Sequence, residues 1–107
     1  MVIKALEFKK EDGTNIIIYV SLYNDFYGAI EWRIDDIQYN PVGKIKWLWL
    51  NKTFDESSEY RRLEIEEREQ FKMNKYIEFV GKERVIEAFL SAWEKLKPSL
   101  PDVYINL

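Results

Sequence analysis

The stretch Lys82–Lys97, KERVIEAFLSAWEKLK, limits what this chain can fold into more than any other. Setting each residue about 100° after the last gathers Val85, Ile86, Phe89, Leu90, Trp93 and Leu96, with Ala88 and Ala92, on one broad arc. Glu83, Glu87, Ser91 and Glu94 fill the opposite arc. Gly81 serves as N-cap, Glu83 suits the positive end of the helix, Lys95 and Lys97 suit the negative end, and Pro98 stops it. Such a helix needs an apolar sheet face to lie on. Phe89 and Trp93, central in the arc, are expected to be buried there.

The residues before it supply strands. Val2 to Lys9 is moderately apolar, and Asp12-Gly13 follows as a hairpin turn. NIIIYVSLY then reads as a central strand, with Ile16, Ile18, Val20 and Leu22 on one face and Ile17, Tyr19 and Tyr23 on the other. GAIEWRID alternates Gly28, Ile30, Trp32 and Ile34 inward with Ala29, Glu31, Arg33 and Asp35 outward. YNPVGK is a turn that hands over to a further hairpin arm beginning at Lys44. NKTFDESSEYRR reads as a long polar loop. Ser57 or Ser58 is an alternative helix cap there, but Leu63 and Ile65 do not repeat at helical spacing. LEIEE, with Leu63 and Ile65 inward, and KYIEFV therefore read as two more strands. The tail PDVYINL alternates Val103, Ile105 and Leu107 as an added edge strand. The expected fold is α+β, a five- to six-stranded mostly antiparallel sheet with the amphipathic C-terminal helix packed on one face. With no repeat or linker, residues 1–107 form one domain.

One helix covers one face. In KIKWLWLNK, Lys44 to Lys52, alternation sends Trp47 and Trp49 to one side and Leu48 and Leu50 to the other. Both sides of that arm are apolar. Either further elements cover the second face or an aromatic patch there meets a partner.

Composition removes most chemistry. The chain holds no Cys and no His, hence no thiol nucleophile, disulfide, imidazole base or imidazole metal ligand. No Walker loop, dinucleotide fingerprint, EF-hand or H-E-x-x-H occurs. Asp35-Asp36 with Glu31 suggests a carboxylate or Mg²⁺ site, yet neighbouring strand residues point to opposite faces and Asp is common at turns. The expectation is a protein without catalytic activity, metal or cofactor. Stacking bases on sheet aromatics needs a basic field, whereas the net charge is −3 with no Lys/Arg cluster, so no nucleic-acid partner is expected. MVIKALEFKKEDG lacks an apolar leader core, and no apolar run approaches the ~20 residues of a membrane span. A cytoplasmic protein with no membrane partner is expected.

Charge is concentrated in one strip. From Asp55 to Glu69, DESSEYRRLEIEERE carries seven carboxylates against three arginines, net −4, while the rest of the chain sums to +1. An acidic strip beside exposed aromatics suits capture of a basic protein by long-range steering followed by aromatic anchoring. Charge and aromatic pattern nominate Asp55, Glu56, Glu59, Tyr60, Glu64, Glu66, Glu67 and Glu69, with Trp47 and Trp49, as partner-binding residues.

A small, acidic, cysteine-free, hairpin-rich domain with one amphipathic helix and no catalytic constellation resembles the immunity proteins of bacterial toxin systems, such as those of contact-dependent growth inhibition. The likeness is one of overall character, and no numbered residue is carried over from it. It implies a cytosolic, non-catalytic inhibitor, a monomer or weak dimer, that occludes the active site of a cognate basic toxin of the nuclease type. The alternative is a small-ligand-binding or subunit-assembly domain with no toxin partner. An apolar cavity between helix and sheet would mark the first, and self-association through the Trp strand or the tail the second.

Overall fold

The computed structural model describes residues 1–24 and 30–99. Strands β1 (Val2–Lys9), β2 (Asn15–Asn24), β3 (Ile30–Asn40) and β4 (Leu48–Trp49) form an antiparallel sheet in the order β1-β2-β3-β4. A short helix α1 (Ser58–Arg61) and two long ones, α2 (Ile65–Val80) and α3 (Lys82–Leu96), follow. The class is α+β, as the sequence indicates, but the inventory differs: four strands rather than five or six, and three α-helices rather than one among the described residues. Gly28, Ala29 and the PDVYINL tail lie outside the described residues.

The first hairpin forms for the expected reason. Gly13 takes φ of 90°, and the Asp12 carboxylate accepts the Thr14 N–H at 2.9 Å, an Asx-type turn that holds Asp12 below the usual carboxylate range. β2 is central, and Ile16, Ile18 and Val20 are fully buried. Ile37 and Ile34 stand opposite Ile18 and Val20 in register, and the core cluster grows from these residues. Ile17, between Glu7 and Gln38, is on the other face and outside that cluster.

Two bulges break the ladder on either side of β2 at the level of Tyr19. Ala5 is inserted in β1 and Asp35 in β3. A bulged residue leaves its backbone unpaired in the ladder, and here each freed carbonyl receives a side chain from outside the sheet. Ala5 O accepts from Ser91 Oγ and Lys95 Nζ of α3, and Asp35 O accepts from Asn51 Nδ2 at 3.0 Å. The bulges thereby tie the helical layer to the strands.

α3 has the expected span, cap and stop, but its rotation differs. Val85, Ala88, Ala92 and Leu96 face the core, while Phe89 and Trp93 are half-buried and Ile86 and Leu90 are exposed. The small alanines at the centre let the helix approach β1 closely enough for Ser91 and Lys95 to reach its backbone. Trp93 instead meets Trp32 edge-on at 6.0 Å.

Of the segments expected as strands, LEIEE supplies the N-cap and first residues of α2 and KYIEFV its C-terminal end. Glu64 is its N-cap in a capping box: its carboxylate accepts the Glu67 N–H, and Glu67 Oε1 accepts the Glu64 N–H at 3.1 Å. Ile65, expected inward, is 77% exposed. The supposed loop 51–62 is helical too. It holds a 3-10 turn, Asn51–Thr53, and α1, whose cap Ser57 accepts the Tyr60 N–H at 3.1 Å.

The opening arm of the Trp segment is mostly not a strand. Only Leu48 and Trp49 pair, opposite Tyr39 and Gln38. Leu50 turns into the core, and Trp49 lies over Tyr19 on the opposite sheet face with ring centroids 5.4 Å apart.

Candidate protein-binding surfaces

Two surfaces, two concavities and one partly buried node hold the residues that carry chemistry. The partly buried node sits at the β3 bulge. Asp36 Oδ1 accepts the Ile37 N–H at 2.7 Å and the Asn51 N–H at 3.0 Å, and the Tyr76 hydroxyl donates to Asn51 Oδ1 at 2.7 Å. Burial pushes the Asp36 carboxyl above its ordinary value despite the two N–H donors, and burial likewise pushes the Tyr76 phenol well up, with Asp36 adding to it. Asp36 is therefore spent on the fold: it fastens β3 to the 3-10 turn and, through Asn51, to α2. Asp35, beside it, is exposed, and what it gives to this node is its backbone carbonyl. Among the described residues no group of three or more acidic side chains is placed to hold a cation.

The acidic strip becomes two structures. Asp55, Glu56 and Glu59 lie in the turn before α1 and on its first residues, and Glu64, Glu66, Glu67 and Glu69 on the first turns of α2. Asp55, Glu56, Glu59 and Glu66 are exposed and form no ion pair among the described residues. The others have structural duties. Glu64 and Glu67 make the capping box, and Glu69 pairs with Arg33 at 3.4 Å. Tyr60, nominated for partner contact, is buried, a correction with a clear cause. The Ser57 cap turns α1 so that the Tyr60 ring packs on Phe54 and Phe71, at 5.8 and 5.5 Å. Arg68 stacks over the same ring at 5.1 Å while donating to the Leu63 and Arg61 carbonyls.

The aromatic arm is the most exposed apolar surface. Val42, Ile45, Trp47, Leu48 and Trp49 are all exposed, Ile45 almost completely at 97%. The arm is nevertheless fixed: Asn40 Nδ2 donates to the Lys44 and Lys46 carbonyls at 2.9 and 3.0 Å, and Lys44 N–H to Pro41 O at 3.1 Å. Lys44, Lys46 and Lys52 form no ion pair among the described residues. Both nominated tryptophans are on this arm, and the ring contact of Trp49 is with Tyr19 of β2.

Two of the concavities among the described residues border these elements. One, of about 320 Å³, is lined by Trp32, Phe89, Leu90 and Trp93 beside α3. The other, of about 370 Å³, lies between β3 and the N-terminal half of α2. Sequence reasoning missed this second cleft because it read α2 as strands. The signal was there: Met73, Tyr76, Ile77 and Val80 recur at i, i+3, i+4 and i+7.

No protein-family model matches this chain, and no curated protein or solved structure shows significant similarity to it. Among the described residues no helix is long and apolar enough to cross a membrane.

Proposed function

We propose that this chain is a non-catalytic protein-binding inhibitor of the immunity-protein kind, acting in the cytoplasm on a cognate basic toxin, with nuclease chemistry the best match to the charge. The observation that carries this reading is the set Asp55, Glu56, Glu59 and Glu66. These carboxylates are exposed, unpaired among the described residues and unused by the fold. Unpaired exposed charges of one sign raise the rate of encounter with an oppositely charged protein. The absence of Cys and His and the commitment of Asp36 to backbone donors agree with inhibition by occlusion rather than by chemistry.

The test is charge reversal where the fold is indifferent. Glu64 and Glu67 are left alone because they cap α2. Asp55→Lys, Glu56→Lys and Glu59→Lys together should slow association with the product of the neighbouring reading frame and flatten its salt dependence. Cells carrying the reversed protein should lose protection from that product. Association and protection equal to the parent protein would refute the acidic capture.

A second reading is favoured by Ile45 alone, an aliphatic side chain held almost fully in solvent on a fixed arm. Subunit assembly through that arm would explain it. Sedimentation that changes with concentration, and reverts to a monomer in Ile45→Asp, would establish assembly and demote the toxin reading.

A further inference from the structure

The aromatic arm concentrates apolar side chains and positive charge on one exposed turn. Val42, Ile45, Trp47, Leu48 and Trp49 are exposed, and Lys44 and Lys46 alternate with Ile45 and Trp47. Between Asp36 and Asp55 the chain holds three lysines, Lys44, Lys46 and Lys52, and no carboxylate, in a protein whose net charge is −3. All three are exposed and form no ion pair among the described residues. The β1–β2 turn, which meets the Val42 side chain at Gly13, adds Lys9 and Lys10 against Glu11 and Asp12 and leaves that balance unchanged. Charges are screened over about 8–10 Å at physiological salt, so whatever touches the arm responds to its lysines before the net charge.

The arm is also held in shape. Asn40 fastens the Lys44 and Lys46 carbonyls, Trp49 lies on Tyr19, and the Tyr19 hydroxyl donates at 3.1 Å to Gln38, the residue opposite Trp49 in the ladder. Ile45 is thus kept in water on a fixed backbone, and the cost of ordering the arm is met before anything binds. Its side chain protrudes rather than recedes. A protein partner would have to supply a pocket matched to it, whereas a bilayer surface yields around a protruding side chain. Tryptophan rings favour the headgroup level, and lysine stems lie along apolar surface while their ammonium groups stay among the headgroups.

We infer that this arm docks on an anionic membrane surface, with Ile45 and Trp47 entering the headgroup region and Lys44 and Lys46 on the lipid phosphates. The contact is peripheral and needs no membrane span. It departs from the expectation of no membrane partner, which rests on the lack of an apolar run of about 20 residues. It goes beyond the inhibitor reading and uses none of its carboxylates.

The test is flotation of the whole protein with vesicles of phosphatidylcholine and phosphatidylglycerol in equal parts, against vesicles of phosphatidylcholine alone. Binding to the mixed vesicles should be at least about tenfold tighter than to the neutral ones, and added salt should weaken it. Lys44→Gln with Lys46→Gln should also cost at least about tenfold, since each lysine near an anionic leaflet contributes roughly fivefold. Ile45→Ser leaves every charge in place and should cost about fivefold or more. Bromine on the lipid chains should quench the tryptophan emission of the bound protein. Trp47→Phe with Trp49→Phe should abolish that quenching, because Trp32 and Trp93 belong to the concavity beside α3. The substituted side chains are all exposed, so melting temperatures should stay at the parent value. No binding to the mixed vesicles, equal binding to both kinds, or quenching that survives the paired Phe substitution each overturns the inference. So does a dimer through Ile45 that keeps the arm from the vesicles, which would make a second copy the occupant. None of these variants touches Asp55, Glu56 or Glu59, so acidic capture stands or fails independently of this result.

Discussion

α2 and α3 are nearly equal in length, adjoin at Gly81 and share one core, yet they pack by opposite means. α3 presents a stripe of small and aliphatic residues, comes close to β1 and hydrogen-bonds to its bulged carbonyl through Ser91 and Lys95. α2 has one fully buried side chain, Tyr76, and spans the gap to the rest of the molecule with rings: Tyr76 and Phe71 pack on Phe54, and Phe79 meets Tyr39 edge-on at 5.1 Å. A helix held at close range by small residues is intolerant of added volume. One held at arm's length by rings depends on each ring, and leaves space between itself and the sheet. The cleft exists because α2 is the second kind.

The largest effect should come from removing the ring on which α1 and α2 converge. Phe54 is buried against Tyr60, Phe71 and Tyr76, so Phe54→Ala should cost about 3–5 kcal/mol in a denaturant melt. Phe89→Ala, at a half-buried position of α3, should cost clearly less. Equal losses would erase the contrast between the helices.

Next is the converse experiment on α3. Ala88 is completely buried on the core face of α3, and Ala88→Leu should cost about 1–3 kcal/mol through overpacking. Met73→Leu on α2, a volume-conserving change at a half-buried site, should cost under about 1.5 kcal/mol. A tolerated leucine at 88 would mean that α3 is not close-packed.

The Asp36 node comes third. Asp36→Ala strands two backbone N–H groups and should cost about 1–3 kcal/mol, while Asp36→Asn keeps an acceptor and should be close to neutral at pH 7. The pH dependence has a definite sign. Burial raises the folded-state value above the ordinary 3.8, so the folded protein holds this proton more tightly than the unfolded chain. The Asp36 contribution is greatest below 3.8 and is lost as pH rises through the folded-state value. Melting temperatures across that window should fall less steeply with pH in Asp36→Asn than in the parent protein.

The smallest effects belong to the caps. Ser57→Ala should cost about 1 kcal/mol and loosen α1, taking Tyr60 with it. Glu56→Lys, outside any cap or pair among the described residues, should change stability by under about 0.5 kcal/mol. A larger loss would show that the acidic turn serves the fold.

How far each helix could be read in advance follows from the same contrast. For α3 the apolar arc, the glycine before it and the proline after it all agree, and local signals that agree specify an element. Only its rotation was misjudged, because periodicity weighs Phe89 and Trp93 by size whereas close packing favours Ala88 and Ala92. In α2 local signals conflict. KYIEFV alternates when read alone, Leu63 and Ile65 straddle a cap rather than a pleat, and the cap itself is a glutamate outside the usual Ser, Thr, Asp and Asn. The helical stripe from Met73 to Val80 appears only when the segment is taken whole.

Of the nominated residues, Trp47, Trp49 and the carboxylates other than Glu69 are exposed, a point the sequence left open for the tryptophans, whereas Glu69 is half-buried and Tyr60 is buried. Nothing in a string of residues distinguishes a tyrosine on an outer face from one turned inward by a cap three residues earlier.

By itself the sequence determined what depends on neighbours along the chain: the Asp12-Gly13 hairpin, the presence of three long strands, though not the run of β3 past Asp35 to Asn40 where a turn was expected from Tyr39, the boundaries of α3, and a chemistry without Cys or His. Those follow from turn geometry, side-chain alternation and composition, which act over a few residues. The tertiary structure alone decided the two bulges, the commitment of Asp36 and Asn51 to backbone and Tyr76, and the cleft between α2 and the β2–β3 pair. Each arises where residues from 15 to 90 positions apart must satisfy one another's hydrogen bonds and volume, and a freed carbonyl finds its donor only once that distant partner has been placed.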